Sequence, residues 1–142
     1  MKINSLSTKE TSNIAAILGS EIIKTKSLVV LGLIGGLGAG KTTFTKSLIK
    51  ALGSKKKVTS PTFLIMRRFV LKNKRNVYHI DAYRVAAKDL IHIGAKEIFK
   101  SPNIIVVEWA DRIKKMLPKD TIWINFVYGK KENERHLTFN RR

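Results

Sequence analysis

Apolar positions along the chain recur at two spacings, and these separate predicted helices from predicted strands. Behind Ser7-Thr8-Lys9-Glu10, which has the form of a capping box, Ile14, Ile17, Leu18 and Ile22 recur at helical intervals and predict a first helix. Leu28-Val29-Val30-Leu31-Gly32-Leu33-Ile34 is instead continuously apolar, the pattern of a central strand covered on both faces, and it stops at Gly35. From Thr42 to Leu52 the apolar residues Phe44, Leu48, Ile49 and Leu52 return to helical spacing, with Gly53 as a stop signal.

Further along, Phe63 to Leu71 and Val77 to Ile80 flank the polar stretch Lys72 to Asn76 and predict a hairpin. Lys88 to Phe99 reads as a helix interrupted at Gly94, Asn103 to Val107 as a second fully apolar strand, and Ala110 to Leu117 as a short helix. Thr121 to Tyr128 with Arg135 to Phe139 predicts a second hairpin. The three prolines, Pro61, Pro102 and Pro118, all fall at element boundaries, and no repeat or linker divides the chain. The expected fold is α/β, a P-loop NTPase-like mixed β-sheet flanked by helices, with residues 1–142 as a single domain.

Composition narrows the function classes. With 142 residues and 44% hydrophobic content there is material for one core and no room for a second catalytic domain. The longest apolar run falls far short of the roughly 20 residues of a spanning helix, and Met1 to Ser7 lacks a signal-peptide pattern, so a soluble, cytoplasmic protein without a membrane partner is expected. With no cysteine, disulfide frameworks and thiolate metal sites are excluded, and any metal must take oxygen or histidine ligands.

The net charge is +18, from 28 basic and 10 acidic residues. Such an excess attracts polyanions, yet 20 of the basic residues are Lys and 8 are Arg, whereas specific phosphate and base recognition favours Arg. Lys55-Lys56-Lys57, Arg67-Arg68, Lys72 to Arg75, Lys130-Lys131 and Arg141-Arg142 are the dense spots, and none interleaves with aromatics as a single-strand stacking platform would. Composition drift and proximity to RNA are the two competing readings of the excess, and a direct sequence-reading role is not expected.

The candidate chemistry lies between the central strand and the second helix. Gly35, Gly36, Leu37, Gly38, Ala39, Gly40, Lys41 and Thr42 satisfy the P-loop pattern G-x-x-x-x-G-K-[ST]. Glycines let the backbone curl so that N–H groups face phosphate oxygens, and the helix behind adds a partial charge of roughly +0.5. Lys41 is expected to bridge the β- and γ-phosphates of ATP and Thr42 to offer its hydroxyl to Mg²⁺. A carboxylate across the site completes such a metal shell, and two acids end apolar strands where they would emerge at the sheet edge: Asp81 after Val77 to Ile80, and Glu108 after Ile104 to Val107. Either can hold metal or orient water, and the sequence leaves the division open. Tyr83, Arg84 and Trp109 flank these acids. Aromatics there usually pack, while Arg84 can pair with Asp81, a partner or a phosphate. His79 and His92 read as ordinary fold residues.

Gly38 to Thr43, Ser60-Pro61-Thr62-Phe63, Tyr78-His79-Ile80-Asp81-Ala82-Tyr83-Arg84, Val107-Glu108-Trp109 and Leu117-Pro118, in this order, resemble the bacterial TsaE (YjeE) family of ATPases in tRNA threonylcarbamoyladenosine biosynthesis. The resemblance spans nearly the whole chain. It implies a weak ATPase working with TsaB and TsaD, which modify the adenosine beside the tRNA anticodon and would themselves hold most of the tRNA. It implies Thr42 and Glu108 as Mg²⁺ ligands and Lys41 as the phosphate lysine. Asp81 would be an active-site acid that joins the metal set, and Thr43 would lie against the nucleotide. Ser60 to Thr62 would be a switch-like loop near the γ-phosphate, with Thr11 bordering the nucleotide. Gly36 departs from the family's usual Asp, so phosphate binding is expected to survive and any tuning by that carboxylate to be absent. The rival readings are a P-loop small-molecule kinase, which would need an acceptor pocket and lid, and a basic RNA-associated nucleotide-sensing module.

Overall fold

In the computed structural model, which describes residues 1–54, 66–83, 87–92 and 94–141, the continuous apolar runs become the parallel centre of one seven-stranded sheet. Its strands are β1 (Lys2–Ser5), β2 (Val29–Gly35), β3 (Met66–Val70), β4 (Asn76–Asp81), β5 (Ile104–Glu108), β6 (Ile122–Tyr128) and β7 (Arg135–Arg141). The spatial order is β1-β7-β6-β2-β5-β4-β3. β2 runs parallel to both β5 and β6, and β4 parallel to β5. The outer strands β3, β7 and β1 pair antiparallel with their neighbours. Parallel strands need cover on both faces, and the alternation of side chains along β2 and β5 divides the apolar residues between two cores.

On one face Leu31, Leu33, Ile104 and Val106 meet Ala15 and Ile22 of α1 (Thr8–Ile23) and Phe44 and Leu48 of α2 (Lys41–Ala51). On the other, Val30, Ile80, Ile105 and Val107 meet Leu90 of α3 (Ala87–His92) and two 3₁₀ helices, Ala95–Ile98 and Ala110–Met116. Each fully buried aliphatic side chain contributes about 1.5–3 kcal/mol, so the doubly covered centre of the sheet gains most from burial. That centre carries the glycine loop between β2 and α2. α1 and α2 approach closely at Gly19, where a Cβ would lie 3.0 Å from the Cβ of Ala51.

The predicted first helix is present, and Ser7 caps it: its hydroxyl accepts from the Glu10 N–H at 3.1 Å. The Glu10 carboxylate reaches back to the Leu6 N–H at 2.6 Å, one residue earlier than a standard capping box requires. Ile17 departs from expectation, being 67% exposed, because Thr11, Ala15, Gly19 and Ile22 form the buried stripe. The segment from Ala110 is a 3₁₀ helix kinked at Ile113, not an α-helix. The expected helix from Lys88 is realised as α3 and a separate 3₁₀ turn, divided where Gly94 adopts φ 81°.

Edge strand β1 has no counterpart in the sequence reading. The Arg75 guanidinium, within a stretch read as a basic spot, is buried and donates to the backbone carbonyls of Thr25 (2.7 Å), Ser27 (2.9 Å) and Pro102. It ties the end of α1 to the start of β2, so it is structural and not a surface charge. Lys55 to Lys57, Ser60, Pro61, Thr62, Phe63 and Arg84 lie outside the described residues. Among the described residues no helix is long and apolar enough to cross a membrane.

Candidate functional site

β2 ends at Gly35 and α2 begins at Lys41, so the expected strand, glycine loop and helix follow without interruption at the C-terminal end of the sheet's central strand. Gly38 (φ 73°) and Gly40 (φ 103°) hold the left-handed conformations that turn the chain back on itself. Gly40 is the N-cap of α2 and has no side chain to bond the helix's first N–H groups, the kind of helix end that suits an anion. Gly36, Leu37 and Gly38 are exposed, Ala39 is buried, and Thr42 and Thr43 are half-buried.

The Lys41 side chain folds back under the loop, where its ammonium donates to the carbonyls of Gly35 and of Gly36 (2.9 Å). It also lies 3.9 Å from the centre of the Trp109 ring. Burial pushes this ammonium below the usual lysine range. Glu108 first, then Asp111 and Asp81, pull the other way, because their negative charges favour the protonated form.

The two strand-ending acids are neighbours. Asp81 of β4 and Glu108 of β5 are register partners, and Leu33 of β2 partners Glu108 from the other side. Glu108 is buried, and one of its oxygens accepts from the Thr42 hydroxyl at 3.0 Å while the other lies 2.5 Å from His79 Nε2. Asp81 is half-buried and one of its oxygens accepts from the Tyr83 N–H at 3.0 Å.

The structure thus brings together Lys41, Thr42, Asp81 and Glu108. Thr11 is buried elsewhere, its hydroxyl 2.7 Å from that of Ser5, so its place beside a nucleotide rests on the resemblance alone. The hydroxyl of Thr42 and the carboxylate of Glu108 are the hard oxygen donors that Mg²⁺ takes. Among the described residues no three His, Cys, Asp or Glu side chains form a metal cage. Mg²⁺ ordinarily takes one or two protein oxygens together with phosphates and water.

His79 is corrected from an ordinary fold residue to a partner of Glu108, fully buried, with Nδ1 unbonded among the described residues. The signal was available: residues two apart on a strand share a face, so His79 lies on the side to which Asp81 points. His92 is exposed at the end of α3. Trp109 packs, as expected, against Tyr83 with ring centres 4.7 Å apart, yet its ring also covers Lys41. Its backbone is left-handed (φ 58°), a strain of about 1–3 kcal/mol for a non-glycine residue of the kind that gathers at functional sites. Asp111, missed in the sequence, belongs to the acids around Lys41.

The family profile described as threonylcarbamoyl adenosine biosynthesis protein TsaE matches residues 5–137. The chain is similar to the tRNA threonylcarbamoyladenosine biosynthesis protein TsaE of Treponema pallidum, with 36% identity over 126 residues that cover 88% of this chain and 90% of the relative. Its similarity to the Bacillus subtilis protein of the same name is 40% over 115 residues, covering 78% and 68%. Among solved structures, the crystal structure of Bacillus subtilis YdiB superposes with a TM-score of 0.71 at 32% identity, covering 98% of this chain and 83% of that one.

Proposed function

The chain belongs to the TsaE family of tRNA threonylcarbamoyladenosine biosynthesis proteins, and on that premise we propose that it is an Mg²⁺-dependent ATPase supporting TsaB and TsaD. The observation that carries this reading is the convergence of Thr42, from the loop, on Glu108, from the neighbouring strand, at 3.0 Å. Thr42 and Glu108 would hold Mg²⁺, the glutamate directly or through water. When bound, the ion neutralises charge on the β- and γ-phosphates.

The residues divide the remaining work. Lys41 supplies a cation that offsets the phosphates, and the carbonyls of Gly35 and Gly36 hold it in place before any ligand arrives, which lowers the cost of ordering it. Both oxygens of Glu108 are engaged, by Thr42 and His79, so this carboxylate is suited to a fixed role in the metal shell. Asp81 has one oxygen on the Tyr83 N–H and the other without a bond among the described residues, which suits it to orient or deprotonate the attacking water. This division is our reading of roles that the sequence leaves open. tRNA enters through the partners, in keeping with basic stretches of sequence that do not interleave with aromatics.

The test is phosphate release from ATP by the purified chain, alone and with TsaB and TsaD, with Mg²⁺ or with EDTA. Release without an added phosphoryl acceptor, dependent on Mg²⁺ and lost in Thr42→Ala, is the expected result. Phosphate transfer to a small molecule in place of water would support the kinase alternative.

A further inference from the structure

The hairpin of β6 and β7 reaches over the P-loop from its outer side, and the contact is made by one cross-strand pair. Tyr128 and Arg135 are register partners at the end of the ladder. The Tyr128 hydroxyl donates to the carbonyl of Leu37, and the Arg135 guanidinium donates to the carbonyl of Gly38 at 3.1 Å. The guanidinium lies 4.7 Å from the centre of the Tyr128 ring. Its other terminal nitrogen donates to the carbonyls of Glu132 (2.7 Å) and Glu134 (2.8 Å) in the hairpin turn. One cation therefore ties the turn to the loop. Among the described residues no carboxylate lies within ion-pair distance of it.

A peptide unit is planar and trans, so its C=O and N–H point in opposite directions. Fixing the carbonyl of Leu37 outward fixes the N–H of Gly38 inward, and fixing the carbonyl of Gly38 sets the N–H of Ala39, which closes a turn onto the Gly36 carbonyl at 3.2 Å. These two peptide planes flank Gly38, a residue free to rotate and held here at φ 73°. Without the outer contacts, the exposed tip of the loop would have to be ordered by the ligand, and that ordering opposes binding.

We infer that Tyr128 and Arg135 are positioning residues that clasp the P-loop and preset its peptide planes for phosphate. The inference rests on the reading of the loop as a phosphate cradle, and it adds to that reading two residues from outside the P-loop pattern. Neither touches the phosphate. They act through the backbone of residues 37 to 39.

The experiment is titration calorimetry of Mg²⁺·ADP with the full chain and its Tyr128→Phe, Arg135→Gln and doubly substituted variants, with dissociation rates from a fluorescent ADP analogue. Losing one such hydrogen bond should weaken binding about three- to tenfold, with faster dissociation and little change in association. Tyr128→Phe keeps the ring and removes only the hydroxyl, so it reads the hydrogen bond apart from packing. Val127→Thr, one residue earlier and therefore on the opposite face of the sheet, should bind as the parent does. If Tyr128→Phe and Arg135→Gln both bind ADP within twofold of the parent while Lys41→Ala loses it, the clasp is wrong and the cradle stands. If Lys41→Ala also binds as the parent does, the cradle reading fails and the clasp with it. Weakening in Tyr128→Ala but not in Tyr128→Phe would assign the effect to ring packing and overturn the hydrogen-bond account.

Discussion

His79 Nε2 lies 2.5 Å from Glu108 Oε2, and neither side chain is open to solvent. The other glutamate oxygen is held by Thr42, so the carboxylate sits between a strand and the loop with both acceptors engaged. A buried carboxylate that loses one such partner keeps its desolvation cost without compensation, about 1–3 kcal/mol or more for a charged group.

His79→Leu should accordingly lower the stability of the ligand-free chain by about 1–3 kcal/mol in urea unfolding. It should also slow Mg²⁺-dependent hydrolysis while leaving ADP affinity in EDTA within about twofold, because His79 bonds to Glu108 and, among the described residues, not to the loop proposed to cradle the phosphates. His79→Gln, which can still donate to Glu108, should recover part of both losses. Unchanged stability and turnover in His79→Leu would remove His79 from the site.

The Lys41 ammonium gives a pH dependence with a definite sign. Burial lowers its folded-state value below the ordinary 10.5, so between the two values the unfolded chain binds more protons than the folded one, and stability rises with pH there. Compared with Lys41→Met, which cannot titrate, the parent's stability relative to the variant should increase as pH climbs toward 10.5. Paired urea titrations in EDTA at pH 7 and pH 10, without nucleotide, read that difference. A decrease would mean that the three surrounding acids outweigh burial.

Two glycines at either end of the same segment should behave oppositely. A Cβ at Gly32, inside β2, would lie 2.9 Å from the Trp123 ring and 3.1 Å from the Ala110 Cβ, and overpacking of that kind costs about 1–3 kcal/mol. At Gly36 the nearest atom to such a Cβ is 3.8 Å away, and the residue has no left-handed backbone. Thermal unfolding should therefore register a clear loss for Gly32→Ala and almost none for Gly36→Asp, the residue that the resemblance leads one to expect there. Equal losses would mean that the loop is packed more tightly than its exposure indicates.

The sequence made the middle of the molecule legible and its margins less so. Leu28 to Ile34 and Ile104 to Val107 are apolar at every position because both faces of β2 and β5 are covered. Asp81 and Glu108 stood out because an acid ending such a run has to emerge at the sheet's edge. β1 was invisible because its inward positions are Ile3 and the polar Ser5, so the alternation in burial has only one apolar residue to show it, and its pairing with β7 joins the two ends of the chain. Ile17 misled because helical spacing alone does not say which of two overlapping stripes is buried when small residues, Ala15 and Gly19, make the closer contact with α2. Tyr128 and Arg135 lie about ninety residues from the loop they touch, and no local pattern records a contact of that range.

The measurement that tests the central claim most directly is phosphate release from Mg²⁺·ATP in the presence of TsaB and TsaD, comparing the parent with Glu108→Gln. The substitution keeps the side chain's size and its capacity to accept from Thr42, and removes the charge that would hold the metal. The account predicts that the variant still binds ADP and releases phosphate about a hundredfold more slowly or less, the scale of losing one essential group in such a site. Release at the parent's rate by Glu108→Gln would contradict it.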